Sequence, residues 1–286
     1  MQLLDHNFVF SPTFDNKENP TALILLNHEG VDTRCLSPLL ERLWACSSVR
    51  LCADGAASRL YHALMRGKDS KLLSLSEHDV SFRLLEFQPD EIVGDWDSID
   101  EESEAYYRSA GVPMYPQPED QDSTDLEKCF RRLLERQTGF EGGVGGYRVV
   151  VAGAFGGRLD HEIQNLNCLY KWTGSFHSLA MVTEHSIASL LPVGGVEIRV
   201  RAPFEGPTCG LLPLGGLATL TTQGLQWDVK EARSFFGGMV STSNCVLGAT
   251  VHVLTDVPLV WTINVNSTAL PLTLAEKQYL AVKKEK

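Results

Sequence analysis

A short apolar run that stops at two aspartates constrains the fold of this chain more than any other feature. The segment reads Glu91-Ile92-Val93-Gly94-Asp95-Trp96-Asp97-Ser98-Ile99. Residues two apart in an extended chain project to the same side, so the pattern predicts a strand that presents Asp95 and Asp97 together at its carboxyl end. Paired carboxylates suit Mg²⁺, which proteins hold with one or two carboxylates plus substrate phosphates. The alternative is a solvated turn, because Asp, Gly and Ser all favour turns.

Apolar runs at 22–26, 49–53 and 148–152 alternate with helical patterns in the first part of the chain. Continuous apolar runs of this length are typical of strands buried on both faces, and their alternation with helices predicts a mainly parallel, Rossmann-like α/β domain. Such sheets bind ligands beyond the carboxyl ends of their strands. A ligand site is therefore expected where these runs end.

Two of these strand ends carry signals for anion binding. Asp54-Gly55 opens a helix after the run 49–53, and Gly156-Gly157-Arg158 follows the run 148–152. Glycines let the backbone approach a phosphate, a helix N-terminus favours anions, and an arginine can bind phosphate oxygens in a bidentate way. The alternatives are structural: Asp54 as a helix cap, and a tight turn in which Asp160 caps the next helix.

A third acidic segment precedes a strongly marked helix. Thr124 and Glu127 have the spacing of a capping box, and an apolar stripe continues to Leu134. Asp122 then lies just before the helix and Asp125 in its first turn. The alternative for Asp125 is simple complementarity to the helix dipole.

The second part of the chain has a different residue pattern, rich in residues that favour strands. Short β-rich runs are predicted at 187–191, 196–200, 210–214, 218–222, 239–243, 250–254 and 259–265. Gly, Pro and Asn separate these runs, which predicts a β-sandwich. The domains are therefore predicted as residues 1–183, α/β, and residues 184–286, all-β. Residues 139–146 are interpreted as a glycine-rich loop, and the Lys-rich residues 274–286 as a frayed helix or a solvated tail.

Charge and cysteine content narrow the class of protein. The formal net charge is −11, which argues against a nucleic-acid or anionic-membrane surface, and the 7 cysteines are scattered without a C-x-x-C pair. The first 20 residues lack the apolar core of a signal peptide, and no apolar run reaches spanning length. The sequence predicts a cytoplasmic protein that needs a metal to bind phosphates.

Taken together in this order, six motifs resemble the thiamine pyrophosphokinase family. The motifs are Asp54-Gly55-Ala56, Gly94-Asp95-Trp96-Asp97-Ser98, Asp120-Gln121-Asp122-Ser123-Thr124-Asp125, Gly156-Gly157-Arg158-Leu159-Asp160-His161, Gly224-Leu225-Gln226-Trp227 and Val240-Ser241-Thr242-Ser243-Asn244. The resemblance implies transfer of diphosphate from ATP to thiamine with release of AMP. It also implies a homodimer, with nucleotide bound by the α/β domain and both thiamine binding and dimerisation assigned to the β domain.

The resemblance also implies roles for individual residues. The Mg²⁺ and phosphate centre would comprise Asp95, Asp97, Asp122, Asp125 and Asp160, with Asp95, Asp97 and Asp125 as the metal ligands. The ATP contacts would be Asp54, Gly55, Gln121, Gly156, Gly157 and Arg158. The thiamine contacts would be Trp227, Ser241 and Asn244. The sequence does not distinguish the general base from the metal ligands, because both roles need an ionised carboxylate near the metal.

Three alternatives stay open from the residues alone. Trp227 is either an exposed ring that stacks on a cationic, aromatic ligand or a core tryptophan. A D-x-D nucleotide-sugar transferase would also pair carboxylates with a diphosphate through a metal, but it leaves the Gly156-Gly157-Arg158 turn and the β-rich half unexplained. A non-catalytic nucleotide-binding sensor would bind the same ligand without turnover.

Overall fold

A computed structural model of the chain describes residues 1–10, 19–27, 36–66, 77–137, 146–266 and 269. The chain divides into two compact units. The α/β unit comprises residues 12–178, and the β-rich unit comprises residues 1–11 together with residues 179–286. The elements are numbered β1–β15 and α1–α7 in chain order.

The described residues of the α/β unit contribute five parallel strands to its sheet. The strands are β2 (Thr21–Leu25), β3 (Val49–Ala53), β4 (Glu91–Gly94), β5 (Met114–Pro116) and β6 (Arg148–Ala152). Their order is β6-β2-β3-β4-β5, and every neighbouring pair is parallel. The chain order reverses between β2 and β6, which is the kind of switch point where open α/β sheets bind ligands.

Six α-helices belong to the described residues of this unit. They are α2 (Pro38–Cys46), α3 (Asp54–Arg66), α4 (Glu77–Glu86), α5 (Glu101–Ser109), α6 (Asp125–Gln137) and α7 (Leu159–Trp172). The predicted capping box is confirmed: the Thr124 N–H donates to Glu127 and the Glu127 N–H donates to the Thr124 hydroxyl, each at 3.4 Å. Ser37 caps α2 by accepting from the Leu40 N–H, with Pro38 in its first turn. Local capping chemistry therefore starts both helices.

The buried strands follow the apolar runs closely. Every residue of β2 and of β4 is buried, as expected of a sheet covered on both faces. Helix α4 was not predicted, because its segment is mostly polar. Val80, Leu84 and the following Phe87 are nevertheless buried. Packing against α3 thus selects a helix that its own weak periodicity did not indicate.

The β-rich unit contains the remaining strands. They are β1 (Gln2–Asp5), β7 (Ser178–Val182), β8 (Ser186–Leu191), β9 (Gly194–Arg199), β10 (Glu205–Leu212), β11 (Ala218–Gln223), β12 (Ala232–Ser234), β13 (Ser241–Cys245), β14 (Thr250–Thr255) and β15 (Leu259–Val265). One set is hydrogen-bonded in the order β1-β9-β14-β11-β12, and the other in the order β13-β10-β15-β8-β7. The predicted runs at 210–214 and 239–243 are displaced from β10 and β13 by two or more residues, and β12 was missed.

The first ten residues belong to the β-rich unit, a placement that the sequence did not indicate. Strand β1 pairs in parallel with β9, and the short helix α1 (Asn7–Phe10) follows it. His6 is buried, and its Nδ1 lies 2.7 Å from a carboxylate oxygen of Glu205 and its Nε2 lies 3.0 Å from the Ser189 hydroxyl. The Phe10 ring stacks on the Phe204 ring. Tertiary contacts, rather than a local pattern, fix this segment.

Some predicted features lie outside the described residues. These are most of the glycine-rich segment 139–146 and the Lys-rich tail 274–286. None of the helices in the described part of the chain combines the length and the apolar character needed to cross a bilayer. The domain boundary predicted after residue 183 stays a prediction.

Candidate active site

The carboxyl ends of the parallel strands open into one cavity of the α/β unit. Its volume is about 430 Å³. The loops after β2, β4 and β6 and the first turns of α6 and α7 line it, including Asn27, Asp95, Asp97, Asp125 and Arg158. Because all these strands run in the same direction, their carboxyl ends meet at one edge of the sheet. Topology therefore brings together acidic and basic groups that are far apart in sequence.

Asp54 shapes the loop that carries the two aspartates. Its carboxylate accepts hydrogen bonds from the N–H groups of Gly55 at 2.6 Å, Trp96 at 2.9 Å and Ser98 at 3.5 Å. Trp96 has a φ of 70°, an uncommon conformation for a side chain of its size. A Cβ on Gly94 would lie 2.7 Å from the Asp54 Cγ, so a glycine is required where the strand passes this carboxylate. Neither predicted role of Asp54, helix cap or nucleotide contact, anticipated these loop contacts.

Asp54, Asp95 and Asp97 form a cluster of ligand atoms. One carboxylate oxygen from each lies within 4.8 Å of the others. Burial, opposed by the hydrogen bonds from Gly55 and Ser98 and reinforced by the charges of Asp95 and Asp97, raises the pKa of Asp54. Hard oxygen donors at this spacing fit a small divalent cation such as Mg²⁺, which would favour their ionised forms. The cluster contains two of the three predicted metal ligands, with Asp54 in addition.

The third predicted ligand, Asp125, is instead paired with a lysine that the sequence analysis missed. Lys128 is fully buried, and its ammonium donates to Asp125 at 3.4 Å, to Asp95 at 3.3 Å and to the Ser123 carbonyl at 2.9 Å. The sequence signal was present, because Lys128 lies three residues after Asp125 on the same face of α6. An i, i+3 pair is usually a surface feature, so this spacing did not indicate a buried cation.

These contacts affect the two carboxyl groups in opposite directions. Burial raises the pKa of Asp95, but the hydrogen bond from the Asp97 N–H and the nearby Lys128 ammonium outweigh it and leave the pKa below its usual value. Burial and the charges of Asp54 and Asp95 raise the pKa of Asp125 to about 6, even though Lys128 opposes the shift. Asp125 is thus the carboxylate whose charge is least well compensated here.

The glycine turn after β6 also lines the cavity, through Gly157 and Arg158. Gly156 has a φ of 100°, and the N–H groups of Gly156 and Gly157 both donate to the Glu162 carboxylate, at 2.6 and 2.9 Å. Arg158 precedes α7, and its guanidinium pairs with Asp160 at 2.6 Å. Both of these side chains are mostly exposed, at 71% and 64%. The guanidinium is therefore accessible to an anion from solvent.

Not all predicted site residues reach the cavity. The cavity lining found among the described residues does not include six of the predicted metal, phosphate and ATP residues: Asp54, Gly55, Gln121, Asp122, Gly156 and Asp160. Gln121 and Asp122 are exposed in the loop before α6, where the Gln121 amide donates to the Pro118 carbonyl at 2.9 Å. Contact between these six residues and a ligand stays a prediction.

The three predicted thiamine contacts lie together in the β-rich unit. Trp227 is 57% exposed, so the core alternative for it is wrong. Asn244 is buried, and its amide group accepts from the Trp227 N–H at 3.2 Å and donates to the Trp227 carbonyl at 3.0 Å and to the Ser241 hydroxyl at 3.3 Å. Asn244 therefore holds the loop that presents Trp227.

Comparison with known proteins identifies the family. Residues 40–182 match the family model described as thiamin pyrophosphokinase, catalytic domain, and residues 195–260 match the model described as thiamin pyrophosphokinase, vitamin B1 binding domain. Thiamine pyrophosphokinase 1 of Arabidopsis thaliana is 35% identical over 276 residues, which cover 95% of this chain and 97% of the relative. The chain belongs to the thiamin pyrophosphokinase family.

Other members of the thiamin pyrophosphokinase family are similar to this chain in sequence and in fold. Thiamine pyrophosphokinase 1 of Oryza sativa subsp. japonica is 34% identical over 90% of this chain and 91% of its own length. The crystal structure of yeast thiamin pyrophosphokinase superposes with a TM-score of 0.77 at 25% identity, covering 94% of this chain and 92% of the yeast chain. The catalytic-domain match includes the acidic cluster and Arg158, and the vitamin B1 binding match includes Trp227.

The raised pKa of Asp125 predicts a pH-dependent effect on stability. The unfolded chain releases this proton near pH 3.8 and the folded chain near pH 6, so Asp125 lowers the free energy of unfolding as the pH rises through that window. Without divalent cations at about pH 8, Asp125→Asn should raise the free energy of unfolding by about 1–3 kcal/mol. Urea denaturation at about pH 8 and about pH 3 measures this difference, which should vanish at the lower pH.

The matched control is Asp122→Asn, which removes an exposed carboxylate from the same loop. It should leave the free energy of unfolding unchanged at both pH values. Equal stability of Asp125→Asn and the unsubstituted protein at about pH 8 would contradict the electrostatic environment assigned to Asp125.

Proposed function

We propose that this protein transfers the diphosphate group of ATP to the hydroxyl group of thiamine, giving thiamine diphosphate and AMP. The observation that carries the proposal is a cavity lined by Asp95 and Asp97 of the acidic cluster and by Gly157 and Arg158, in a chain of the thiamin pyrophosphokinase family. Carboxylates for a cation and donors for phosphate oxygens are the two sets of groups that a metal-nucleotide complex needs.

Mg²⁺ is the metal that we propose for the acidic cluster. Asp95 and Asp97 are its proposed ligands, as the sequence predicts, and the position of Asp54 in the cluster supports a contribution from its carboxylate as well. Asp125 remains a proposed ligand, provided that the metal competes with Lys128 for its carboxylate. When bound, the cation would offset charge on the phosphate oxygens.

ATP is the proposed co-substrate in the α/β unit, for which we keep the Rossmann-like description. The parallel order of β2–β6 and the N–H groups of Gly156 and Gly157 support this assignment. Gln121, Asp122 and Asp160 are proposed to approach the phosphates on ligand binding. A cytoplasmic location stays a prediction from the sequence.

The chemistry follows from positioning and charge. The thiamine hydroxyl oxygen forms a bond to the β-phosphorus of ATP, and the bond from that phosphorus to the oxygen it shares with the α-phosphorus breaks. AMP leaves with the electron pair on that oxygen. Arg158 donates to phosphate oxygens as their charge grows, and an aspartate of the cluster accepts the hydroxyl proton. The nucleotide-sugar transferase and the non-catalytic sensor are not favoured, because neither accounts for both family matches.

Asp97→Asn tests the metal centre in the proposed reaction. Purified protein with ATP, Mg²⁺ and thiamine should form AMP and thiamine diphosphate in equal amounts. The amide keeps the shape of the side chain but removes the charge, so Asp97→Asn should lower kcat by at least about 100-fold without changing the thermal midpoint of unfolding.

Asp90→Asn is the matched control, because Asp90 immediately precedes β4 at its other end and binds Arg50. The Asp90→Asn variant should have the same kcat as the unsubstituted protein. Near-normal turnover by Asp97→Asn would rule out the metal assignment, and the absence of both products with the unsubstituted protein would rule out the proposed function.

Trp227 tests the acceptor site, which we propose lies in a β-sandwich formed by the β-rich unit. An exposed indole can stack on the cationic thiazolium ring of thiamine, and Asn244 donates to both the Trp227 carbonyl and the Ser241 hydroxyl. Trp227→Ala should raise KM for thiamine by about 5- to 30-fold while KM for ATP stays unchanged. Phe82→Ala, which removes another exposed aromatic ring from the α/β unit, is the control. An unchanged KM for thiamine would contradict this role.

A homodimer is the proposed assembly. The β-rich unit exposes the large apolar side chains of Phe236, Leu247 and Leu254, which a subunit contact would bury. Sedimentation equilibrium should give twice the chain mass of 31.6 kDa. A mass equal to that of one chain at micromolar concentration would contradict the dimer.

A further inference from the structure

Glu162 occupies the backbone donors that the proposed function assigns to a phosphate group. One oxygen of its carboxylate accepts from the Gly156 N–H at 2.6 Å and from the Gly157 N–H at 2.9 Å. Both N–H groups point at the same oxygen because Gly156 adopts a φ of 100°. Two successive N–H groups that converge in this way form a concave anion-binding nest.

Neighbouring carboxylates make the position of the Glu162 carboxylate electrostatically unfavourable. Glu162 lines the same cavity as Asp95, Asp97 and Asp125. A fourth carboxylate adds negative charge to a cavity that is proposed to receive a polyphosphate. The same two N–H groups cannot bind the Glu162 oxygen and a phosphate oxygen at full strength, so the two anions compete for the nest.

The position of Glu162 in the chain allows it to leave the nest. It lies in the first turns of α7, and its side chain reaches back to the preceding loop. The side chain is half-buried, and the nest glycines are exposed. Rotation about its side-chain bonds therefore exposes the two N–H groups without a change in the backbone of α7.

We propose that Glu162 is an internal competitor that fills the nest of Gly156 and Gly157 in the free protein and is displaced by a phosphate group of the substrate. The proposal rests on the proposed function. It makes Glu162 a residue that sets the affinity for the nucleotide, and it assigns the nest to a phosphate or diphosphate group. A bond that serves only to stabilise the start of α7 would have no such effect on affinity.

Binding of inorganic pyrophosphate tests this competition without turnover. Glu162→Ala removes the competing carboxylate, and Glu162→Gln keeps its shape but removes its charge. Isothermal titration calorimetry in a buffer with Mg²⁺ should show that both variants bind pyrophosphate more tightly, by about tenfold for Glu162→Ala, since a charged hydrogen bond no longer has to be broken. KM for ATP should fall by a similar factor while kcat changes less than about twofold.

Glu197→Gln is the matched control, because it makes the same charge change on β9, where Glu197 pairs with Arg199. It should leave the affinity for pyrophosphate unchanged. If Glu162→Ala does not fold, Glu162→Asp serves instead, because the shorter side chain keeps the charge but loses the reach to the nest. Unchanged or weaker binding by the folded Glu162 variants overturns the proposal.

The two proposals fail in different ways. An unsubstituted protein that forms no thiamine diphosphate would contradict the proposed function, whereas tighter pyrophosphate binding by Glu162→Ala would still support the competition. Normal turnover together with unchanged affinity in the Glu162 variants would overturn the competition and leave the proposed function intact.

Discussion

The geometry of the site depends on the hydrogen bonds that the buried carboxylate of Asp54 accepts. This carboxylate accepts backbone hydrogen bonds from Trp96 and Ser98, on either side of Asp97, and from Gly55 at the start of α3. Hydrogen bonds to a charged acceptor are among the stronger ones in proteins. A side chain from one strand end thus fixes the loop at the next strand end. The same residue also contributes an oxygen to the candidate metal cluster, so loop geometry and ligand geometry are coupled.

The site concentrates negative charge and compensates only part of it. Lys128 is buried between Asp95 and Asp125 and donates to both, while Asp97 faces solvent. A buried lysine is costly unless its donors are satisfied, and here all three have acceptors. The remaining excess of carboxylates explains why the cavity fits a divalent cation, and why a phosphate group would enter it more readily as a metal complex than alone.

Two loops at the cavity satisfy their backbone N–H groups with different kinds of carboxylate. In the loop of Asp95 and Asp97, backbone N–H groups are satisfied by a buried carboxylate that belongs to the framework. In the turn of Gly156 and Gly157, they are satisfied by a half-buried carboxylate on the first turns of a helix. In the first arrangement the carboxylate is that of Asp54, which is almost fully buried and holds the loop in place. The second is exchangeable because Glu162 has access to solvent, and this difference is the physical basis for assigning ligand exchange to the glycine turn.

Elements that depend on local chemistry could be predicted from the amino-acid sequence alone. The apolar run of β4 ends at Asp95, the capping box of Thr124 and Glu127 starts α6, and the glycine turn precedes α7, all as predicted. Parallel strands then required these ends to share one edge of a sheet. The family could also be inferred, since the six motifs occur in a fixed order.

The contacts that these residues make depend on the tertiary structure and could not be predicted from local patterns. Lys128 resembles a surface residue in sequence, yet it is buried between two aspartates because the start of α6 abuts the loop after β4. Asp54 holds backbone N–H groups 42 and 44 residues away, and Glu162 fills the nest of its own turn. Local patterns record periodicity and capping within a few residues, whereas these contacts depend on how separate strand ends come together in space.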